Sequence, residues 1–369
     1  MARFTIVIPA KNASSTIKRA VTSAYVEAPV RILLVDHAST DDTVEIARRA
    51  GGDLLEILHA PVEARLGQVR QIGLDAVRTE FGVWLDADDE LLPGRSARLI
   101  GRLESEDTDL AYDEVDLHDG ATGAWISRLP IPSLLRQGRQ IVRMFERNYL
   151  PAPGAPAFRT AAARLVGFDP LLHGPEDVDF LLRAIAAGRQ VSLVRQVGYR
   201  QFAYPTTLSR DIDNQQAMVR TLLRKHAPED VEARLRSAGY EPWTVGWSMV
   251  SFLTLRGDFE RALAWLDGVP HGPQRDFHIG TLLAALGRHP HALAPMERAF
   301  RQTRMPELLN NFGVVLAAMG RRDQAAGLFQ DALQLFPGYL DAAANLAAAM
   351  PTRLTLLFLR QDPVRKDYT

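Results

Sequence analysis

The sequence predicts an α/β domain, built on a mostly parallel Rossmann-like sheet with helices on both faces, followed by an all-α helical-repeat domain. Three observations carry this prediction. Across residues 1–118 short β-rich runs alternate with helical stretches, the rhythm of a parallel sheet with crossover helices. From Asp211 onward the pattern is helical throughout. Within that helical part, Gly257, Gly287 and Gly320 are each followed five residues later by Ala262, Ala292 and Ala325. At 369 residues, 47% of them hydrophobic and 24% charged, the chain is long for one domain and comfortable for two.

The elements follow in order. Phe4–Ile8, Arg31–Val35, Asp53–Leu58 and Phe81–Leu85 read as strands. Thr16–Ala24, Asp41–Ala50 and Leu66–Val77 read as the intervening helices, the second opening on acids that the helix dipole favours. In such sheets a ligand sits beyond the carboxyl ends of the strands. Residues 119–210 are less regular, with loops marked by Pro130, Pro132, Pro151, Pro153 and Pro156. A helix is expected over Glu176–Ala187, stopped by Gly188, then two short strands at Val191–Val194 and Val197–Arg200. The predicted domains are residues 1–210, a helical linker at 211–242, repeats at 243–350 and a C-terminal tail at 351–369, of which Gln361–Thr369 reads as polar.

Composition excludes several classes. Lys plus Arg number 43 and Asp plus Glu 44, so the chain lacks the cation surplus of a sequence-independent nucleic-acid binder. No cysteine is present, which removes disulfides, thiolate zinc sites and a Cys nucleophile. No apolar run reaches the 18 to 20 residues of a membrane span. The N-terminal run is brief and β-branched, with Lys11 and Asn12 directly after it, so it reads as a strand rather than a signal peptide. A cytoplasmic or membrane-peripheral location is expected. The dinucleotide fingerprint, the phosphate-binding P-loop, the nucleophile elbow and the paired-histidine zinc motif are all missing.

Three segments carry chemistry. Trp84-Leu-Asp-Ala-Asp-Asp-Glu90 runs an apolar strand into four acids. In extended geometry Asp86 and Asp88 point the same way, and crowded carboxylates repel unless a cation neutralises them. Oxygen donors suit Mg²⁺ or Mn²⁺; the alternative is an acidic turn capping the next helix. Val35-Asp-His-Ala-Ser-Thr-Asp-Asp-Thr43 lies at the end of the second strand, in position for nucleotide contact. Capping by Ser39, Thr40 or Asp41 is the alternative there, and it does not account for Asp36 and His37. Gly174-Pro-Glu-Asp177 places Glu176 and Asp177 at a helix start, either as dipole partners or with a carboxylate set to accept a proton.

Together these segments resemble the inverting glycosyltransferases of family 2, with the GT-A fold, over residues 3–210. Ile6-Val-Ile-Pro-Ala-Lys-Asn12 is similar to the opening strand and its nucleotide-facing loop, and Val35–Thr43 to the D-D-G-S-T-D-x-T segment. Arg70-Gln71-x-Gly73 is similar to R-N-x-G, Asp86-Ala-Asp88-Asp89 to the D-x-D(D) metal motif, and Glu176-Asp177 to the E-D pair. The resemblance implies transfer of a sugar from a nucleoside-diphosphate sugar, with Mn²⁺ or Mg²⁺ as cofactor. It implies that Pro9, Ala10, Asn12, Asp36 and His37 hold the nucleoside and that Asp86 and Arg70 face the donor. Asp88 and Asp89 would hold the metal, Asp177 would be the base, and Glu176 and Arg200 would support the site. Loops around Pro151–Pro156 are expected to close over it. The chain departs from the pattern at His37, Ala38 and Gln71, and lacks a histidine in Tyr199–Tyr204.

Pro306–Tyr339 resembles a tetratricopeptide repeat, with Asn311, Gly313, Gly320, Ala325 and Pro337 at its marked positions, and a partial further unit starts near Asp341. Trp243–Met350 carries nine Arg, nine acids and no Lys, a balance suited to a homodimer or a protein partner rather than nucleic acid. The acceptor stays open between a cell-envelope or exopolysaccharide glycan and a protein or peptide. Two other classes stand beside the transferase: a repeat-based interaction protein with a degenerate first domain, and a sugar nucleotidyltransferase.

Overall fold

The computed structural model describes residues 2–27, 30–135, 138–204 and 212–357. The chain forms two compact units, Met1–Met144 with Asn148–Ser209, and Phe145–Arg147 with Arg210–Thr369.

In the first unit, β1 (Phe4–Ala10) is buried along its whole length. It lies between β2 (Val30–Asp36) and β4 (Phe81–Trp84), parallel to both, and β3 (Leu55–His59) extends the parallel set beyond β2. Burial on both faces explains why these strands read as continuous apolar runs instead of alternating ones. The register pairs Ala10 with Asp36 and Asp36 with His59, so three strands end level. α1 (Ile17–Val26), α2 (Thr43–Gly51) and α3 (Leu66–Ala76) cross between them as expected.

Past β4 the sheet turns mixed, and here the sequence pattern was silent. β8 (Ala157–Arg159) runs antiparallel to β4 and to β6 (Leu110–Asp119), while β7 (Trp125–Leu129) folds back on β6 as a hairpin. β9 (Val191–Ala203) runs parallel to β6, and the short β5 (Glu90–Leu91) pairs antiparallel with β9. The strand order is β3-β2-β1-β4-β8-β6-β9-β5. The two strands expected at 191–200 are one strand of 13 residues: its pairing jumps from Val194 opposite Asp113 to Val197 opposite Glu114, a bulge that reads as a gap. β6 was hidden by its acids. Asp113 is buried there, paired with Arg95 of α4 (Arg95–Ser105) at 2.8 Å, both side chains 1% exposed, and with Arg98 at 3.3 Å.

The second unit is helical. α7 (Ile212–Arg224) and α8 (Pro228–Ser237) pack against α9 (Pro242–Arg256), so residues 212–237 belong to the packed helices and not to a linker. Three helix pairs follow: α9 with α10 (Phe259–Trp265), α11 (Pro273–Ala285) with α12 (His289–Gln302), and α13 (Pro306–Ala318) with α14 (Arg322–Leu335). α15 (Leu340–Ala347) opens a further, partial unit. The recurring glycines Gly257, Gly287 and Gly320 all have positive φ and stop the first helix of each pair. The recurring alanines Ala262, Ala292 and Ala325 are buried in the second helices. Residues 351–357, expected as part of a tail, are packed against the repeats; residues 358–369 of that tail, and Asp211 of the linker, lie outside the described residues. Among the described residues no helix is long and apolar enough to cross a membrane.

Removing one partner of a buried ion pair strands the other charge, at a cost of about 3–5 kcal/mol. Asp113→Ala is therefore expected to lose that much stability in urea unfolding. A double change of Arg95→Met with Asp113→Leu should recover most of it.

Candidate active site

The site is built on the level ends of the parallel strands. The loops after β1 and β2 are laced to each other. Asn12 N–H donates to the Ser39 hydroxyl at 3.0 Å, Thr40 N–H to Asn12 Oδ1 at 2.9 Å, and Ala13 N–H to the Thr43 hydroxyl at 2.7 Å. Asp41 accepts from Ser14 N–H at 3.1 Å; against the small effect of burial, hydrogen bonds from Thr43 and Ser14 bring its carboxyl down to about 2. Ser39, Thr40, Asp41 and Thr43 are thus occupied in holding the two loops in register. Ala38 sits at φ +50°, a left-handed conformation that costs a non-glycine residue about 1 kcal/mol and accounts for glycine at this place in the motif it resembles.

Asp36 and His37 remain for a ligand. The Asp36 side chain is 5% exposed, accepts Ser39 N–H at 3.2 Å and lies 3.2 Å from His59 Nδ1. His37 is buried, and burial first, then Lys11, lowers its pKa against the opposing pull of the Ala64 and Val62 backbone. Its Nε2 is buried with no hydrogen-bond partner among the described residues. A buried polar atom of this kind costs about 1–3 kcal/mol until something bonds to it.

Beside this pair lies a cluster centred on Arg70 of α3, which is 4% exposed. Its Nε donates to Glu176 at 2.8 Å, its Nη1 to the Gly154 carbonyl at 3.1 Å and its Nη2 to Asp86 at 2.9 Å. Although burial opposes it, Asp86, Glu176 and Asp177 hold this guanidinium charged. Glu176 and Asp177 begin α6 (Glu176–Ala186), so the segments at β4, α3 and α6 are brought together. Asp177 is pushed up to about 7 by burial and by Glu176, against the pull of Arg70. It is poised between acid and base at neutral pH.

The acidic segment after β4 does not stay extended. Asp89 N–H donates to the Asp86 carbonyl at 3.1 Å, closing a turn. The turn keeps Asp86 close enough to act on Asp88, whose carboxyl is pushed up to about 6 by burial and by Asp86. Its own backbone N–H and the Arg19 guanidinium pull the other way. Asp89, expected as a second ligand, is committed elsewhere: it is 3% exposed, and its Oδ1 accepts Phe202 N–H at 2.9 Å. It fastens β9 to the turn, a correction to the ligand assignment. Arg200 lies 3.2 Å from Glu90 across β5 and β9, and its ion pair is with that residue.

No group of three or more His, Asp or Glu among the described residues comes together to hold a metal. Asp88 offers a carboxylate with no side-chain hydrogen bond among the described residues, though Arg19 attracts it, and Asp86 is half-engaged by Arg70. This donor set fits a cation shared with ligand phosphates and water, the usual state of protein-bound Mg²⁺, and not one caged by protein.

Four further residues belong to the site. The Tyr199 hydroxyl accepts Asp86 N–H at 3.2 Å. Arg19 donates to the Asp88 carbonyl and covers the Phe202 ring at 3.5 Å. The Tyr112 hydroxyl is buried without a hydrogen-bond partner among the described residues, and its pKa is raised by burial and by Asp177. Gly154 touches Arg70 and Asp177 so closely that a Cβ would lie 2.8 Å from the guanidinium and 3.0 Å from the carboxylate. The Pro151–Pro156 segment, expected to close over the site, is tied down by the carbonyls of Gly154 and Ala155, which accept from Arg70 and Arg95. Tyr112 had no signal because β6 was not recognised; Gly154 stood inside a loop named only for its prolines.

Asp88 and Asp177 both titrate above the ordinary 3.8 of a free aspartate. Their contribution to stability is therefore full below about pH 4 and is lost as pH rises through about 6 and 7. Asp177→Asn should melt close to wild type at pH 4. At pH 8 the unliganded variant should be more stable by about 1–3 kcal/mol, read from paired thermal melts.

Comparison with known proteins adds to this geometry. Residues 5–166 match the Glycosyl transferase family 2 model and residues 307–336 a tetratricopeptide repeat model. The succinoglycan biosynthesis protein ExoU of Rhizobium meliloti (strain 1021) is 30% identical over 223 residues, 55% of this chain and 63% of that protein. ExoO of the same organism is 25% identical over 249 residues, 63% of this chain and 71% of its own length. The chain thus spans less than two thirds of ExoU. Among solved structures, S. aureus TarS 1-349 in complex with UDP-GlcNAc superposes with a TM-score of 0.53 at 15% identity, over 91% of this chain and 92% of that one. The first unit has the GT-A fold.

Proposed function

We propose that this chain, whose residues 5–166 match the Glycosyl transferase family 2 model, transfers a sugar from a nucleoside-diphosphate sugar to an acceptor hydroxyl with inversion at the anomeric carbon. The observation that carries the reading is the Arg70 bridge, which sets Asp86 at the mouth of β4 against Glu176 and Asp177 at the start of α6. A donor grip and a base of raised pKa are thereby held on one buried cation.

The nucleoside enters over Pro9, Ala10 and Asn12, beside Asp36 and the His37 ring. The unpartnered His37 Nε2 gains a bond partner from the base or ribose. Arg70, already saturated by protein acceptors, orients Asp86 and Glu176. Asp88 would hold a Mg²⁺ or Mn²⁺, which would supply charge stabilisation for the leaving group. Asp177 takes the acceptor proton as the acceptor oxygen bonds to the anomeric carbon and the bond to the diphosphate oxygen breaks. The nucleoside diphosphate leaves from the opposite face. The succinoglycan biosynthesis relatives favour a glycan hydroxyl as acceptor.

Ligand that binds only the folded state stabilises it, by about 2.7 kcal/mol at a hundredfold excess over Kd. In a thermal-shift panel of UDP, GDP, CDP and dTDP sugars with and without Mn²⁺, at least one donor should raise Tm more with the metal than without. Asp88→Asn should lose the metal-dependent part alone. A flat response to every donor overturns the reading, and release of pyrophosphate from a nucleoside triphosphate would point to a nucleotidyltransferase.

Removal of a general base costs about 10²–10⁴ in rate. Asp177→Asn should show that loss in kcat while the donor-induced Tm shift survives. In wild type, kcat/KM should fall on the acid side of a pKa near 7, because Asp177 must be ionised to take the proton.

A further inference from the structure

Two buried tyrosines belong to the site, and they are used differently. The Tyr199 hydroxyl, on β9, accepts Asp86 N–H at 3.2 Å and bonds to the Asp89 carboxylate, so the fold consumes it. Tyr112, on β6, is 2% exposed, and its hydroxyl is buried with no hydrogen-bond partner among the described residues. A buried hydroxyl without a partner costs stability, because it has given up water and gained nothing. A phenylalanine would fill the same space without that cost. Packing therefore accounts for the ring of Tyr112 and not for its oxygen.

The direction of the ring follows from the strand. Side chains alternate along β6, and Asp113 is turned toward α4, where it pairs with Arg95. Tyr112 therefore points to the opposite face. Two charged groups bear on its hydroxyl there: after burial, Asp177 raises its pKa and Arg70 lowers it. The phenol stays protonated, so it keeps an O–H to donate and a lone pair to accept with. Neither neighbour bonds to it. Arg70 spends its donors on Glu176, Gly154 and Asp86. Asp177 Oδ1 accepts the Val178 N–H at 2.7 Å, the only hydrogen bond of that side chain among the described residues.

This position decides what the hydroxyl meets. On the sugar-transfer reading, on which this inference rests, the diphosphate lies against Asp86 and Asp88, and the acceptor proton goes to Asp177. The sugar being transferred must span the interval between them. Tyr112 stands against that interval, beside both the base and the guanidinium that holds Asp86. Gly154 bounds it as well, since a Cβ there would lie 2.8 Å from Arg70 Nη2 and 3.0 Å from Asp177 Oδ2. An acceptor arriving from solvent meets Asp177, which is half-buried, before it meets Tyr112. The part of a ligand that reaches Tyr112 is the part enclosed most deeply. Asp177 covers the phenol in the empty site, and a carboxylate held by one adjacent N–H turns aside at little cost.

We propose that Tyr112 is a specificity-determining residue for the donor sugar: its hydroxyl bonds a ring hydroxyl of the transferred hexose, while the nucleoside and diphosphate bind without it. A site built to bond a substrate hydroxyl rejects the analogue that lacks it, because the protein's own buried group is then left unpaired. Tyr112 thereby selects for the hexose that carries a hydroxyl at that place.

The test compares Tyr112→Phe with wild type by calorimetric titration in Mn²⁺. The probes are UDP, GDP, CDP and dTDP, each alone and as its hexose conjugates. The nucleoside diphosphate that wild type binds should bind the variant equally, and its preferred hexose conjugate about tenfold more weakly. Monodeoxy analogues of that conjugate give a second readout. At one ring position, loss of the hydroxyl should weaken wild type by the same factor and leave Tyr112→Phe unchanged, a coupling that a structural role does not produce. The unliganded variant should melt at or above the wild-type temperature, because it loses only an idle hydroxyl. A lower melt, equal weakening of the nucleoside diphosphate and its conjugate, unchanged binding of the conjugate, or deoxy losses identical in both proteins overturns the assignment. A wild type that binds no sugar nucleotide defeats the sugar-transfer reading itself, and the assignment falls with it.

Discussion

A single buried guanidinium organises the first unit. Arg70 uses three of its nitrogens on three separate pieces of chain: the end of β4 through Asp86, the Gly154 loop, and the first residue of α6 through Glu176. A planar donor set with fixed angles can hold three acceptors at fixed mutual positions, which a lysine ammonium cannot. Three carboxylates lie around it, one more pair of negative charges than it can neutralise. Burial first, and the crowding of carboxylates second, raise the pKa of Asp177, and the neighbouring turn repeats the pattern in Asp88.

The parallel half of the sheet was legible because its strands are buried on both faces and its helices begin on acids or polar residues. The mixed half was not. β6 carries Asp113, Glu114 and Asp116, and a sequence pattern treats acids as solvent-facing; only the Arg95 partner, 18 residues away, makes Asp113 a core residue. Much of the candidate site was legible for a different reason. Asp36 and Asp86 sit at strand ends, Asp88 in the turn that follows and Asp177 at a helix start, where local sequence and ligand geometry are fixed together. Asp89 was assigned through the resemblance to the D-x-D(D) motif alone, while the turn at Asp86 sends its Oδ1 to the Phe202 amide. Tyr112 and Tyr199 arrive from β6 and β9, so their place depended on a topology that local pattern does not encode.

The helical unit shows the same division between local and distant information. The glycines of the repeat were legible as helix stops, and each has the positive φ that the stop requires. Gly313 was legible as a close approach, and a Cβ there would meet the Phe329 ring at 2.6 Å. The meaning of Asn311 and Asn345 was not. Their separation of 34 residues marked them as repeat positions, which for most such residues means packing between helices. What sets them apart is that their partners are the main chain of residues 353 and 355, a stretch whose composition reads as an unstructured tail.

The sequence of that stretch explains why it was misread. Its order has two sources: Leu354 packs against the apolar core of the repeats, and amides on the helices bond the main chain of residues 352–355. An extended segment held through its backbone leaves almost no signature in its side chains, because any residue with an N–H and a carbonyl serves equally well. The signature lies in the reader: amides at one helical position, fully buried, with their hydrogen-bonding capacity directed to one face. Burial and hydrogen-bond accounting therefore find in the structure what periodicity finds in the sequence only as a coincidence of spacing.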